Sequence, residues 1–361
     1  MSKFLQIHLL TAYPPSNPNR DDLGRPKTAV VGGKLRQRIS SQAIKRAVRT
    51  SDAFAQALHG HQGQRTQRLG DEILAHLLKK GIDETTARES VRAVMSIFGK
   101  LDEKKAKTDP EPVRIRQLAF ISPDERRRAI ELAEKAAAGK KLPKEEDLAQ
   151  EILRTADGAI DIAMFGRMLA DKPDFNRDAA VQVAHAFTTN AVEIEDDYYT
   201  AVDDLKTAVE DAGAGFIGEA GFGAGVYYLY ACVDRELLVR NIEGDATLAA
   251  RGLEALLRAF ATASPSGKRN SFANHVRPEF ILVEKGDAQP RSLASAFTEP
   301  VGSGDQMAKS VDRLNRQRAA FTKAFGQDWT EDLVLHVGSH ATASLDDLAQ
   351  FVGAGLPDVR P

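Results

Sequence analysis

The chain is poor in cysteine and has no long apolar run, and each absence narrows the class of protein. Cys232 is the single cysteine among 361 residues, which excludes an internal disulfide framework and a zinc site built from cysteines. No stretch approaches the ~20 apolar residues that a membrane-spanning helix needs. The first residues alternate like a strand and lack the A-x-A type of site that ends a signal peptide. We therefore expect a protein of the reducing cytoplasm with no membrane segment.

Two kinds of ligand site are also missing. The glycine-rich stretch 213–225 is not followed by the Gly-Lys-Ser/Thr of a phosphate-binding loop, so it predicts a flexible projection instead. The histidines show no spacing typical of metal ligands, and His59-x-His61 comes nearest to one. We expect neither a cofactor nor a bound metal.

Positive charge is concentrated in the first 50 residues. They hold ten lysines and arginines against two aspartates, a balance of +8, whereas the whole chain carries −2. Ordinary surfaces intersperse the two signs, so this local excess is typical of a face that binds a polyanion. A solvated charged surface is the alternative.

The order of residues in this basic block indicates how it would hold phosphates. A flexible basic loop passes through Gly32-Gly33 and leads into a helix that Ser40 or Ser41 would cap and that would end near Thr50. Helical spacing places three side chains on one face: Gln42, Lys45 and Arg49. Free N–H groups at the start of a helix, beside aligned cations, would form a phosphate cradle.

Hydrophobic patterning predicts an α+β chain. The predicted strands are 3–10, 181–188, 226–233, 280–283 and 333–337. The predicted helices begin after Asp83, Ser122 and near Asp147, and span 247–262, 292–298 and 306–324. A charged helical stretch, about 61–170, interrupts the strands, so we expect an RRM- or ferredoxin-like core with a large helical insertion. The usual aromatic RRM signature is absent from the sequence.

Six motifs that follow one another along the chain resemble those of the CasC family, a part of the Cas-seven superfamily. They are NRDD (19–22) with Lys27, GGKLR (32–36) with RISSQAIKRA (38–47), GRM (166–168), AHA (184–186), TAVDDL (200–205) and GKR (267–269). The likeness covers most of the chain and is most specific between residues 20 and 50. CasC supplies the repeated backbone subunit of the type I-E CRISPR Cascade complex.

The resemblance implies a hand-shaped subunit whose copies stack head to tail along one CRISPR RNA. It divides the chain into an RRM-like palm (1–60, 181–190 and 226–361), helical fingers (61–180) and a projecting glycine-rich thumb (191–225). Target DNA and other Cascade subunits would be further partners. A guide changes with every spacer, so the protein would hold phosphate and sugar while base pairing reads the target.

Matching positions also imply which residues touch nucleic acid. The guide backbone would be held by Arg20, Lys27, Lys34, Ser40, Gln42, Lys45, Arg46, Arg49, Lys268 and Arg269. Met168 and Tyr199 would flank a kink in the RNA, unless both are buried core residues; tyrosine stands at 199 where the family pattern leads us to expect phenylalanine. Target DNA would meet three lysines of the fingers, Lys140, Lys141 and Lys144, unless these form a solubilising linker.

Two other functions stay open at this point. His8, Asp21 and Asp22 could be the acid–base groups or Mg²⁺ ligands of a metal-dependent ribonuclease, although adjacent aspartates beside Arg20 are more typical of a turn. A generic RNA-binding oligomer with no CRISPR role is the second. We expect a scaffold rather than an enzyme, and its acidic segment 193–204 would face the next subunit or remain a solvated loop.

Overall fold

The α+β class predicted from the sequence is confirmed by a computed structural model, which describes residues 2–102, 112–153, 158–169, 173–201, 216–339 and 343–357. The strands are β1 (Phe4–Ser16), β2 (Thr28–Val31), β3 (Lys34–Ile39), β4 (Gln64–Thr66), β5 (Ala119–Ile121), β6 (Val181–Val183), β7 (Ala186–Thr188), β8 (Glu195–Ala201), β9 (Phe216–Asp234), β10 (Phe280–Gly286) and β11 (Glu331–His336). The α-helices are α1 (Ser41–Arg49), α2 (Asp52–Ala57), α3 (Leu69–Lys79), α4 (Glu84–Met95), α5 (Pro123–Ala137), α6 (Glu145–Leu153), α7 (Ile160–Phe165), α8 (Arg235–Asn241), α9 (Ala246–Thr262), α10 (Arg269–Phe272), α11 (Gln306–Phe325) and α12 (Leu345–Gly353).

The chain forms two compact units. Unit 1 consists of Met1–Phe54, Gln182–Val233 and Leu253–Gly355, and unit 2 of Ala55–Val181, Asp234–Gly252 and Leu356–Pro361. The large sheet has the strand order β11-β10-β1-β9-β7-β3-β2, with β6 and β8 also paired to β9. Within the described ranges, no helix is both long and apolar enough to cross a bilayer.

The central strands of unit 1 are covered on both faces. On one face Leu10 of β1 belongs to a core cluster with Leu314 of α11. On the other face Leu9 lines a small internal cavity with Ile44 of α1 and Phe260 of α9. Successive side chains of a strand point to opposite faces, so helices close the sheet from both sides. Residues 5–10 are accordingly all buried.

Unit 2 has a helical core of its own, in which α3, α4, α5 and α6 bury their apolar faces together. The caps predicted for two of these helices are confirmed. Asp83 Oδ1 accepts a hydrogen bond from the Thr86 N–H at 3.0 Å, and Ser122 forms a reciprocal capping box with Glu125.

The arginine of the GRM motif is a structural residue of unit 2. Arg167 Nη1 lies 2.6 Å from Glu125 Oε1, and both side chains are buried. Burial raises the pKa of Glu125, against the lowering effect of Arg167. Such a pair is costly to break, because the remaining charge would be buried without a partner.

The basic segment before α1 is a β-hairpin and not the flexible loop that the sequence predicted. β2 and β3 pair from Thr28–Gln37 to Val31–Lys34 around Gly32-Gly33. Both glycines have positive φ, 57° and 73°, which suits the tight two-residue turns of hairpins. A Cβ on Gly32 would lie 1.8 Å from the Thr298 carbonyl oxygen, whereas one on Gly33 would meet nothing.

The glycine-rich stretch is also different from its prediction. Its described part, from 216 on, belongs to the 19-residue strand β9 rather than to a flexible projection. Added Cβ atoms would lie 2.7 Å from Gln37 Oε1 at Gly223 and 2.4 Å from Asn190 Oδ1 at Gly225. The glycines therefore allow neighbouring polar side chains to pack against the strand, a role that glycine commonly has inside sheets.

Smaller differences concern where elements begin and end. β1 continues through Tyr13-Pro14-Pro15, where the sequence predicted its end, to Ser16. The predicted strand 181–188 is two short strands, β6 and β7, and the predicted helix 292–298 is a 3₁₀ segment over Ala294–Phe297. Helix α12 was not predicted.

We expect Gly32→Ala to destabilise the protein more than Gly33→Ala. Both substitutions strain a positive φ, which costs about 1–2 kcal/mol, but the Gly32 methyl would also collide with the Thr298 carbonyl. Thermal unfolding of the two variants side by side measures the difference. Equal midpoints would contradict the close approach at Gly32.

Candidate nucleic-acid interface

Helix α1 is oriented by its apolar residues, and this orientation places its cations at the surface. Ile44 and Val48 are buried, whereas Lys45 and Arg49 are half-buried and Gln42 is exposed. Burial of the side chain lowers the pKa of Lys45. An ammonium that has already lost part of its hydration gains more from an arriving anion than a fully solvated one.

The first N–H groups of α1 are engaged by side chains of the chain itself. Ser40 caps the helix: its Oγ accepts from the Ala43 N–H at 3.3 Å, and its own N–H donates to Asn19 Oδ1 at 2.9 Å. The Ser41 N–H donates to His185 Nδ1 at 3.0 Å. The geometry therefore favours phosphate contacts from side chains over the backbone cradle that we expected.

A cleft of about 1000 Å³ in unit 1 brings three of the predicted residues together: Arg20, Arg46 and Arg269. Its walls are the loop after β1, one face of α1 and the segment that follows α9. The α1 wall carries small side chains, Ala43 and Ala47, which leave room between the arginines. The cleft is therefore polar and open to solvent.

Sequence reasoning missed two residues of this cleft, His275 and Arg277. Both are exposed and line it beside the 262–269 segment. A weak signal existed, because His-Val-Arg (275–277) follows the GKR motif (267–269) within a few residues. The acidic residues Asp21, Asp22 and Asp52 line the same cleft, so its charge is mixed rather than uniformly positive.

The other predicted guide contacts of unit 1 do not line the cleft. Lys34 opens β3 and is exposed, and Lys27 precedes β2 and is half-buried. Of the predicted α1 contacts only Arg46 lines the cleft, although Gln42 and Arg49 are its neighbours on the helix at four- and three-residue spacing. Lys268 caps the short helix α10 with a left-handed backbone, φ 47°.

Both predicted wedge residues are at the surface. Met168 is 80% exposed and Tyr199 is 43% exposed, so the alternative that both are core residues is wrong. Tyr199 lies in β8 opposite Gly218 of β9. Every residue of β8 is exposed, so β8 forms the outer strand of an exposed arm, the β8–β9 hairpin. At the base of the arm, Asn17 Nδ2 donates to the Gly221 carbonyl at 3.0 Å.

One carboxylate of the acidic segment is already paired within the chain. Asp196 lies in β8, and its Oδ1 is 3.0 Å from Arg25 Nη2. Glu193, Glu195 and Asp197 are exposed, whereas Asp203 and Asp204 lie outside the described residues. This ion pair therefore ties the β8–β9 hairpin to the loop before β2.

The lysines predicted to meet target DNA lie in unit 2. Lys140, Lys141 and Lys144 are exposed in the connection between α5 and α6. Another lysine-rich stretch of the sequence, 104–107, lies outside the described residues. A DNA contact and a solubilising linker would both be exposed, so contact of these three lysines with target DNA stays a prediction.

The residues considered for a ribonuclease are not accessible as a set. His8 is fully buried, with Nδ1 2.9 Å from the Tyr228 hydroxyl oxygen and Nε2 3.4 Å from Glu284 Oε2. Asp21 Oδ1 accepts from the N–H groups of Leu23 and Arg25, at 3.0 and 2.9 Å, which is turn chemistry. Over the parts of the chain that are described, no group of three His, Cys, Asp or Glu residues could hold a metal.

We expect His185 to make stability depend on pH. His185 is exposed, but partial desolvation, with the charges of Arg38 and Lys27, lowers its pKa. Its Nδ1 must stay unprotonated to accept from the Ser41 N–H. The folded protein then binds fewer protons than the unfolded chain. The stabilisation is complete above the ordinary pKa of about 6.5 and is lost as the pH falls through the lower folded value.

Unfolding at a series of pH values tests this expectation. The wild type should lose more stability between about pH 7.5 and pH 5.5 than His185→Asn, which does not titrate. His59→Asn, a substitution at an exposed histidine, is the control and should follow the wild type. Parallel curves for wild type and His185→Asn would contradict the expectation.

Comparison with known proteins places these features in a family. A family model described as "CT1975-like protein", a Cas family, matches residues 5–353. No curated protein matches the chain. One solved chain, from a structure described as "CRISPR RNA-guided surveillance complex, pre-nicking", is 32% identical with a TM-score of 0.85, over 97% of this chain and 99% of that one.

A second solved chain gives the same picture. It comes from a structure described as "CRISPR RNA-guided surveillance complex" and is 29% identical with a TM-score of 0.75, over 96% of this chain and 99% of that one. The family match covers nearly all of the sequence, so the chain belongs to the CT1975-like family of Cas proteins.

Proposed function

We propose that this protein is a non-catalytic subunit of a Cascade-type CRISPR complex that holds the guide RNA. The observation that carries the proposal is the likeness, over nearly the full length of both chains, to subunits of CRISPR RNA-guided surveillance complexes. The surface chemistry agrees with it. Lysines and arginines of the first 50 residues lie on the hairpin, on α1 and in the cleft of unit 1.

The RNA would run over the β2–β3 hairpin, α1 and the cleft of unit 1, and not across a face of the sheet. In RRM domains bases stack on an open sheet face, but here α11 covers one face and α1 and α9 the other. Arginine and lysine side chains at the rim suit phosphate contacts, which carry no sequence information. A subunit that serves guides of any sequence needs this mode of binding.

The finer architecture of the proposal is a palm, fingers and a thumb. Along the chain, β1, α1, β7, β9, α9 and β10 follow one another, and their strands lie in the order β10-β1-β9-β7. That order supports an RRM- or ferredoxin-like palm. The helices of 61–180 would be the fingers, and the exposed β8–β9 arm within 191–225 the thumb.

We also propose that the subunit is the repeated CasC-type backbone, with copies stacked head to tail along one guide. The support is the exposed arm, because an isolated two-stranded ribbon is marginally stable in water and gains from a partner. A head-to-tail contact of this kind does not close and gives a filament. Target DNA would then pair with the guide along the assembled row.

Expression with the other complex subunits and a CRISPR array of two unrelated spacers tests the proposal. We expect copurified RNA to carry both spacers, and native mass spectrometry to find several copies of this chain per RNA. A single copy per RNA would contradict the backbone role. RNA unrelated to the array would favour a generic RNA-binding oligomer.

We expect Lys45→Ala combined with Arg49→Ala to weaken guide retention equally for unrelated spacers. Each phosphate contact removed should reduce the salt slope of binding by about 0.7 for a single strand. The matched control is Arg316→Ala with Lys323→Ala, two exposed cations of α11. An affinity and salt slope that follow this control would show that the α1 cations do not hold RNA.

We expect removal of charge at Lys140, Lys141 and Lys144 to slow capture of target DNA but to spare guide binding. Exposed lysines attract duplex by releasing counterions, so the defect should be largest at low salt. Lys79→Ala, Lys309→Ala and Lys323→Ala together remove the same charge from other exposed sites. Capture rates equal to this control at low salt would leave the three lysines as a linker.

A further inference from the structure

We propose that unit 2 carries a separate phosphate-binding surface, here called the arginine patch, formed by Arg65, Arg68 and Arg116, and that it binds the backbone of a nucleic-acid duplex. The three side chains are exposed. None of the motifs considered above includes them, and they lie in unit 2, whereas the proposed contacts to guide phosphates lie in unit 1. The inference therefore goes beyond the proposed function and does not depend on it.

Backbone hydrogen bonds hold the segments of the patch side by side. The Ile115 N–H donates to the Gln67 carbonyl at 3.3 Å, and the Arg116 N–H to the Lys100 carbonyl at 2.8 Å. Gln67 Nε2 donates to the Arg116 carbonyl at 2.7 Å. Residues far apart in sequence thus place their cations on one fixed framework.

Close packing beneath the patch makes this framework stiff. A Cβ on Gly70 would lie 1.9 Å from the Val113 carbonyl oxygen, so the 112–118 segment lies directly against the start of α3. The Arg65 guanidinium sits 5.4 Å above the centre of the Phe120 ring. Cations that are already positioned lose less conformational entropy when they bind a phosphate.

The two carboxylates in the first turn of α3 form ion pairs with arginines outside the patch. Asp71 Oδ2 is 2.7 Å from Arg114 Nε, and Glu72 Oε1 is bound by Arg126. Over the described residues, Arg68 and Arg116 make no ion pair of this kind. Asp102 is the one remaining carboxylate in the three joined segments, 64–68, 100–102 and 114–118, so positive charge is in excess.

The start of α3 adds to the positive potential of the arginine patch. Arg68 occupies the N-cap position and makes no side-chain capping bond. An arginine is unfavourable there, because the positive end of the helix dipole repels it. An anion bound beside Arg68 would offset this repulsion, because both the guanidinium and the positive end of the helix attract it.

The side chains around the patch favour a duplex over the other polyanions. Glutamines flank the arginines at 64, 67 and 117, and glutamine is a common donor to phosphate and sugar oxygens. Single-strand binders stack bases on exposed aromatic rings, but Phe120 is buried and the three joined segments contain no aromatic residue. A duplex presents one charge per about 1.7 Å of its axis, a density that suits a rigid cationic framework.

The test measures binding of the full-length chain, stripped of nucleic acid, to a labelled duplex of random sequence. The variant is Arg68→Ala with Arg116→Ala, and the matched control is Lys79→Ala with Arg240→Ala, two exposed cations of the same unit. Thermal unfolding first establishes that each variant is folded. A single strand of the same length and a guide RNA are measured in parallel.

We expect the patch variant to bind the duplex at least about tenfold more weakly at low salt, with a salt slope reduced by about 1.8, because two phosphate contacts are lost. Guide RNA binding should stay at the wild-type level, and the control should change neither. The result can be interpreted even if the chain holds no guide, because duplex binding is measured in the absence of guide RNA.

Three outcomes would overturn the proposal. Duplex binding equal to that of the control would show that the patch is a solvated surface. A loss confined to the single strand or the guide would make it part of a guide path. Unchanged duplex binding with poor incorporation into the assembled complex would identify the patch as a protein interface.

Discussion

The buried guanidinium of Arg36 is the interaction on which the basic face of unit 1 depends. Arg36 is fully buried, and it donates to the carbonyl oxygens of Thr188, Thr189, Phe297 and Thr298 at 2.7 to 3.3 Å. Burial lowers the pKa of its guanidinium, so the bonds to carbonyls must offset the cost of desolvation. These four hydrogen bonds join the β2–β3 hairpin to β7 and to the 3₁₀ segment before α11.

The sheet of unit 1 is covered on both faces, which limits where a ligand could bind. The layer that contains α11 is held by a buried carboxylate, Glu284, 2.7 Å from both Arg291 and Arg318. Burial would raise the pKa of Glu284, but hydrogen bonds and charge interactions with His8 and Arg291 keep it low. With both faces closed, only rims and loops remain for a ligand, and rims rich in lysine and arginine recognise phosphates rather than bases.

Unit 2 follows a different electrostatic rule. Its acidic residues at the start of α3 pair with nearby arginines, and its central ion pair, Arg167 with Glu125, is buried. The cations that these pairs leave over include Arg68 and Arg116, whose segments meet at Gln67. This local excess of positive charge cannot be seen in the net charge of the chain, because it depends on which ion pairs form in the folded protein.

The sequence by itself determined the α+β class, several helix caps and the location of the basic block. Capping at Asp83 and Ser122 is local chemistry, since the side chain bonds to backbone only three residues away. The same holds for α1, whose start at Ser40 and buried residues Ile44 and Val48 follow from helical spacing. The likeness of the ordered motifs to a Cas family also needed no structure.

Only the tertiary structure decided what the glycines and the motif arginines do. Gly225 lies in β9 where Asn190 leaves no room for a Cβ, and four carbonyl oxygens converge on Arg36. Neither contact is visible along the sequence. His275 and Arg277 join the cleft for the same reason. Local patterns encode caps and faces, whereas close approach between distant segments is set by packing, which brings together residues that the sequence separates.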